Sequence, residues 1–206
     1  MPLNLDLIRS TKGFLAEEEG CHLYRMAAAA AVLGPCVEIG SYCGKSTVYI
    51  GTACRENGQV LYAIDTHRGS EEQQPGEEYF DPELFDPRSG RIDTFRHFRD
   101  TLARAGLEDT VVPIVCTSVL AARGWATPLS LVFIDGGHAY DTVLTDFNSW
   151  APHIVVDGFL LFHDVFSDPS KGGQAPYAVY RQALDSGIFI EHSFVQSLGV
   201  LQRRPL

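Results

Sequence analysis

The chain is short of positive charge. Its 206 residues carry 16 Lys and Arg against 26 Asp and Glu, a formal net charge of −10 with a pI near 5.0. Phosphate backbones need a basic face, so nucleic acid is excluded as the main partner, and acidic macromolecular substrates are disfavoured. Long hydrophobic runs are also missing. The longest, Met26–Leu33, is far too short to cross a bilayer, and no membrane partner is expected. The first residues, MPLNLDLIRSTKG, carry charges early and lack a signal-peptide apolar core. Five cysteines are present, an odd number, and none forms a C-x-x-C pair. Reduced, mostly buried thiols and a cytoplasmic location are therefore expected. Repeats and low-complexity linkers are absent. With 45% hydrophobic and 20% charged residues, the chain has the makeup of one ordinary globular domain, 1–206.

The glycine turn at 37–47, VEIGSYCGKST, also lacks something. A nucleotide P-loop places four residues between its glycines. Here Gly40 and Gly44 enclose three, Ser41, Tyr42 and Cys43. Glu38, two residues before Gly40, would repel a triphosphate. The same carboxylate suits a cationic ligand such as S-adenosylmethionine (SAM), with its sulfonium and ammonium groups.

Helical and strand patterns alternate, which predicts an α/β fold with a mainly parallel sheet. Leading helices are expected within 1–33, ended by Gly34-Pro35. Strands are expected at 36–39, 60–64, 111–115, 129–134 and 158–162. An antiparallel hairpin, 188–195 with 198–203, closes the sheet at seven strands. Helices are expected at 45–55, 91–105, 139–150 and 176–186. Residues 67–90 hold three prolines, three glycines and many carboxylates, and read as a structureless insertion, either a lid or disordered. In a lid, Tyr79, Phe80 and Phe85 would stack on a sugar ring, while Glu71, Glu72, Glu77 and Glu78 would be solvated. Trp150 and the leading helix are assigned to the core or a subunit interface.

Open α/β sheets bind ligands beyond the carboxyl ends of their strands. Three predicted strand ends carry Asp65, Asp135 and Asp164. A single such Asp is more often a turn residue or helix cap; three on one rim point to a site. Asp65 lies about 20 residues past the glycine turn, the spacing of a ribose-binding carboxylate. In LVFIDGGHAY (131–140), Gly136-Gly137 turns the chain and brings Asp135 near His138, which is either a base or a plain helix-start histidine. In FLLFHDVF (159–166), His163 and Asp164 end the fifth strand. Asp135, His163 and Asp164 have the donors to share Mg²⁺, Mn²⁺ or a non-haem iron.

Together, VEIGSYCGKST, Asp65, IDGGHAYDTVLTDFNSW and GFLLFHDV resemble class I SAM-dependent methyltransferases over about residues 30–203. The group most similar comprises small metal-dependent O-methyltransferases of the macrocin sugar type and cephalosporin-hydroxylase-like proteins; bacterial mannoside methylating enzymes share the size and motifs. The resemblance implies a Rossmann-like sheet with helices on both faces and a homodimer. It implies that Glu38, Gly40, Ser41, Ser46 and Thr47 line the methionine part of SAM, that Asp65 holds the ribose, and that Thr117 and Ser118 sit by the adenine. Asp135 would sit by SAM and, with His163 and Asp164, hold Mg²⁺ or Mn²⁺, with His138 as base. His163 departs from the family pattern, where an acidic ligand is common. The acceptor implied is a hydroxylated small molecule, a sugar or glycoside; the alternatives are a catechol-type phenol or an iron-dependent oxygenase on the same fold.

Overall fold

A computed structural model describes residues 3–205; Met1, Pro2 and Leu206, which the one-domain reading of 1–206 includes, lie outside the described residues. Two helices lead, α1 (Leu5–Ser10) and α2 (Glu17–Ala31). They are followed by β1 (Cys36–Ile39), α3 (Lys45–Glu56) and β2 (Leu61–Asp65). After the insertion come α4 (Phe95–Ala105), β5 (Val111–Val115), α5 (Ser118–Ala122), β6 (Leu129–Ile134) and α6 (Tyr140–Trp150). The chain ends with β7 (Ile154–Phe162), α7 (Ala175–Asp185), β8 (Phe189–Val195) and β9 (Leu198–Arg203). The seven-stranded sheet runs β5-β2-β1-β6-β7-β9-β8. Five strands are parallel, and the β8–β9 hairpin runs antiparallel at one edge.

The strands at the centre are mostly apolar because helices cover both faces, with Glu38 of β1 and Ser130 of β6 the buried polar exceptions. Every residue of β1 and β6 is buried. On one face Leu23, Tyr49, Leu61, Phe98 and Phe133 form a core cluster. On the other, Ile64, Trp150, Leu160, Phe162 and Tyr180 form a second. Each such side chain contributes about 1.5–3 kcal/mol by leaving water. Trp150 is fully buried and therefore belongs to the core. Gly20 lets α2 close onto α3: a Cβ there would lie 2.2 Å from the ring of Tyr49.

Several expectations are corrected. Residues 91–92 are not helical; they form β4 (Arg91–Ile92), paired with β3 (Phe85–Asp86), and the helix begins at Phe95. The Asp93 carboxylate, accepting from the Phe95 amide, marks that start. The insertion is not structureless. It contains short turns of 3₁₀ helix at Glu71–Gln73 and Pro82–Leu84 besides the hairpin. Lys12 pins it through ion pairs to Asp81 and to Glu83 (2.7 Å), and Phe14 packs edge-on against Tyr79. β7 begins four residues earlier than expected, running through an irregularity in its pairing with β6. The short α5 was not foreseen, since five residues are too few to show a helical period.

Register positions the site. Ile39 pairs with Ile64 on one side and Ile134 on the other, and Ile134 pairs with Phe162. The residues that follow, Gly40, Asp65, Asp135 and His163, therefore stand side by side along one rim.

Candidate active site

The rim has two halves. The first is the glycine turn. Gly40 has φ +87°, and a Cβ there would lie 2.1 Å from the Asp135 carbonyl oxygen, so only glycine lets β1 and β6 turn this closely together. Asp65 fastens the turn. Its Oδ2 accepts from the amides of Ser41 (2.9 Å) and Tyr42 (2.7 Å), and its Oδ1 accepts from the amide of His67 (2.7 Å). The carboxylate expected at a ribose thus already shapes the loop. Below it, Glu38 is completely buried. Burial pushes its carboxyl up to about 8, against the pull of the neighbouring Ser46 and Thr47 hydroxyls. The Thr47 hydroxyl donates to Glu38 Oε2 at 2.6 Å. Glu38 Oε1 and the buried Ser41 hydroxyl have no hydrogen-bond partner among the described residues.

The second half gathers the ends of β6 and β7. Asp135, His163 and Asp164 each offer a ligand atom within 4.8 Å of the others. His163 Nδ1 lies 3.0 Å from Asp135 Oδ1 and 3.3 Å from Asp164 Oδ2. Burial would push the His163 imidazolium down, but Asp135, Asp164 and Glu19 outweigh it and hold it well above the usual histidine range. Burial raises the Asp135 carboxyl in spite of His163 beside it. His138 stands next to this cluster, its Nε2 3.0 Å from Asp164 Oδ2 and its Nδ1 3.0 Å from Glu72 Oε2. Its bond to Asp164, with Glu72 adding and partial burial opposing, raises it to about 9.

The residues expected near adenine follow β5 at the start of α5. Thr117 precedes α5, and the Ser118 hydroxyl donates to Asp146 on α6. Burial lifts the Asp146 carboxyl to about 6.

This rim, with its buried acid on β1 and mixed N/O donors on β6 and β7, coincides with a sequence family. A profile described as a methyltransferase domain matches residues 37–165, more than half the chain and the whole span from Glu38 to Asp164. The chain belongs to the methyltransferase-domain family.

Solved structures share this methyltransferase's fold at low identity. A Corynebacterium glutamicum protein matches with a TM-score of 0.71 at 15% identity, covering 100% of this chain and 93% of its own. An O-methyltransferase from Bacillus cereus in complex with SAH matches at 0.68 and 12%, covering 98% and 88%. The O-methyltransferase TomG from Streptomyces achromogenes, in complex with SAM, matches at 0.63 and 15%, covering 93% and 82%. Among the described residues of the methyltransferase, no helix is long and apolar enough to cross a membrane.

The residues present fit both groups the family reading implies. A buried carboxylate oxygen and a buried hydroxyl, both unpartnered, flank the glycine turn, as an ammonium-bearing cosubstrate requires. At the second half, the Nε2 of His163 lies 3.2 Å from Glu19 Oε2. Glu19 accepts, so Nε2 carries the hydrogen and Nδ1 is turned toward two carboxylates. Only a proton or a cation makes that arrangement favourable.

Three participants escaped the sequence reading. Glu19 lies in an EEEG run that looks like any acidic helix start, 144 residues from His163. Ser197 holds Glu19 from the β8–β9 turn. Glu72, expected to be solvated, grips His138. No local pattern marks them.

Proposed function

We propose that the chain is a SAM-dependent, divalent-metal-dependent O-methyltransferase acting on a hydroxyl of a sugar or glycosylated small molecule. The observation that carries this reading is the single rim on which a buried, half-satisfied Glu38 stands beside the Asp135, His163 and Asp164 donor set. SAM supplies a methyl group already activated on a sulfonium. A bound Mg²⁺ or Mn²⁺ supplies Lewis acidity that lowers a hydroxyl pKa.

The chain's own residues do the rest. Glu38 and Ser41 receive the amino-acid end of the cosubstrate, and Gly40 keeps the backbone close enough for it to lie across the sheet. Asp135, His163 and Asp164 would hold the cation. Alignment of acceptor and methyl is the main contribution, since an oriented pair avoids most of the entropic cost of encounter. His138 takes the acceptor proton. With Asp164 and Glu72 both gripping it, the imidazole is held charged to about 9; release from either carboxylate brings it toward neutrality, where it accepts a proton.

A cleft of about 460 Å³ beside the glycine turn is lined by Phe14, Tyr42, Tyr79 and Phe80 and by none of Asp135, His138, His163 and Asp164, so it does not bear on an acceptor bound at the rim. The acceptor is read as small, uncharged or cationic, in keeping with the net charge of −10.

The test is incubation with labelled SAM and a panel of sugars, glycosides and catechols, with and without chelator. Methylation of a glycoside that chelator abolishes is the expected result. Methylation confined to catechols would replace the acceptor class, and turnover indifferent to chelator would remove the metal from the reading.

A further inference from the structure

The donor set has one nitrogen among its oxygens, and the nitrogen is aimed by residues outside the segment that matches the family. Glu19 is buried on the first turn of α2. Its Oε1 accepts from the Ser197 amide (2.8 Å) and hydroxyl (2.7 Å). Its Oε2 accepts from the Ala16 amide (3.2 Å) and lies 3.2 Å from His163 Nε2. Ser197 is itself tied to the rim, because its carbonyl accepts from the amide of Val165, two residues past His163. The carboxylate is therefore fixed by two elements that meet only in the folded chain, α2 and the β8–β9 turn. With a cation in the gap shared with Asp135 and Asp164, an acceptor locked in that place takes the Nε2 hydrogen and leaves the Nδ1 lone pair directed at that gap.

We propose that Glu19 is a positioning residue for the metal site, and that the nitrogen it presents makes this chain select a first-row transition ion such as Mn²⁺ over Mg²⁺. The inference rests on the metal-dependent reading above. Mg²⁺ demands oxygen donors and keeps much of its water, whereas an imidazole nitrogen favours the first-row transition ions, Mn²⁺ least among them. A carboxylate behind a ligating histidine fixes its orientation and raises its basicity, and losing such a partner costs about 10- to 100-fold in metal affinity.

The experiment is titration of the SAM-bound protein with MnCl₂ or MgCl₂ alone, followed by calorimetry and by the loss of the free Mn²⁺ EPR signal. Wild type should bind Mn²⁺ at least about tenfold more tightly than Mg²⁺, and pulsed EPR should show echo modulation from one directly bound imidazole nitrogen. His163→Asp should abolish the nitrogen modulation and shrink the preference for Mn²⁺. Glu19→Gln should weaken Mn²⁺ by about tenfold or more and leave the SAM-induced thermal shift in place. If that variant fails to fold, wild type and His163→Asp decide the matter through the nitrogen signal and the Mn²⁺/Mg²⁺ ratio. Mn²⁺ bound without nitrogen modulation, or equal affinity for the two ions, overturns this inference while the metal-dependent reading stands. Binding of neither ion overturns both.

Discussion

Glu38 gives the sharpest prediction, because one carboxyl ties stability, proton release and cosubstrate affinity together. It is wholly buried, one oxygen has no partner among the described residues, and burial holds it at about 8. In the ligand-free protein at pH 7, roughly 0.9 of the molecules then carry a neutral Glu38. The sign for stability follows. A carboxyl raised from 4.5 to about 8 on folding contributes stability that is complete below 4.5 and is lost as pH rises through 8. The free protein should therefore lose on the order of a few kcal/mol across that window. An ammonium placed at Oε1 favours the carboxylate, so SAM binding at pH 7 should release up to about 0.9 proton. Calorimetry in buffers of different ionisation enthalpy measures it directly. Glu38→Gln should abolish the release, flatten the decline of melting temperature between pH 5 and 8, and weaken SAM by about 10- to 100-fold, the worth of a charged hydrogen bond. SAM binding by Glu38→Gln with wild-type affinity and an unchanged proton count would refute the placement of Glu38 at the cosubstrate.

Other outcomes are equally specific. Asp135→Ala should lower turnover by about 10³-fold while the SAM-induced thermal shift persists, and full activity in that variant would end the metal proposal. His138→Ala should cost about 10²–10⁴-fold in kcat with little change in KM. Glu72→Gln removes one of the two carboxylates that raise His138, so the alkaline rise in the rate profile should move to lower pH; an unmoved profile would deny His138 the role of base. Gly40→Ala should destabilise the protein by about 3 kcal/mol or more, read as a lowered melting temperature, because its φ is +87° and the new methyl would meet the Asp135 carbonyl.

Much of this was legible from the chain alone because it rests on local chemistry. The alternation of apolar runs with helical patches specified seven strands, and the two-residue turn at Gln196-Ser197 specified the antiparallel hairpin. Gly40, Asp65, Asp135, His163 and Asp164 were recognisable because each directly follows or closely trails an apolar strand, and open sheets put ligands there. Misreadings arose where local signals were weak. Two-residue strands such as Arg91–Ile92 have no period to detect, and a five-residue helix has little more. Asp65 had the spacing of a ribose ligand; that it also staples the glycine turn depends on the backbone geometry of Ser41, Tyr42 and His67.

By itself the sequence determined the fold class, the rim and the kinds of donor available on it, since apolar period, glycine placement and side-chain chemistry are properties of neighbours in the chain. Only the tertiary structure decided which charges act on those donors. Glu19 and His163 are 144 residues apart, and Glu72 and His138 are 66 apart. Their meeting depends on α2 docking against the sheet, on the β8–β9 turn and on the insertion folding over the rim. Coulombic and hydrogen-bonding forces reach only a few ångströms with full strength, so distances in space, not positions in the chain, assign the state of each histidine.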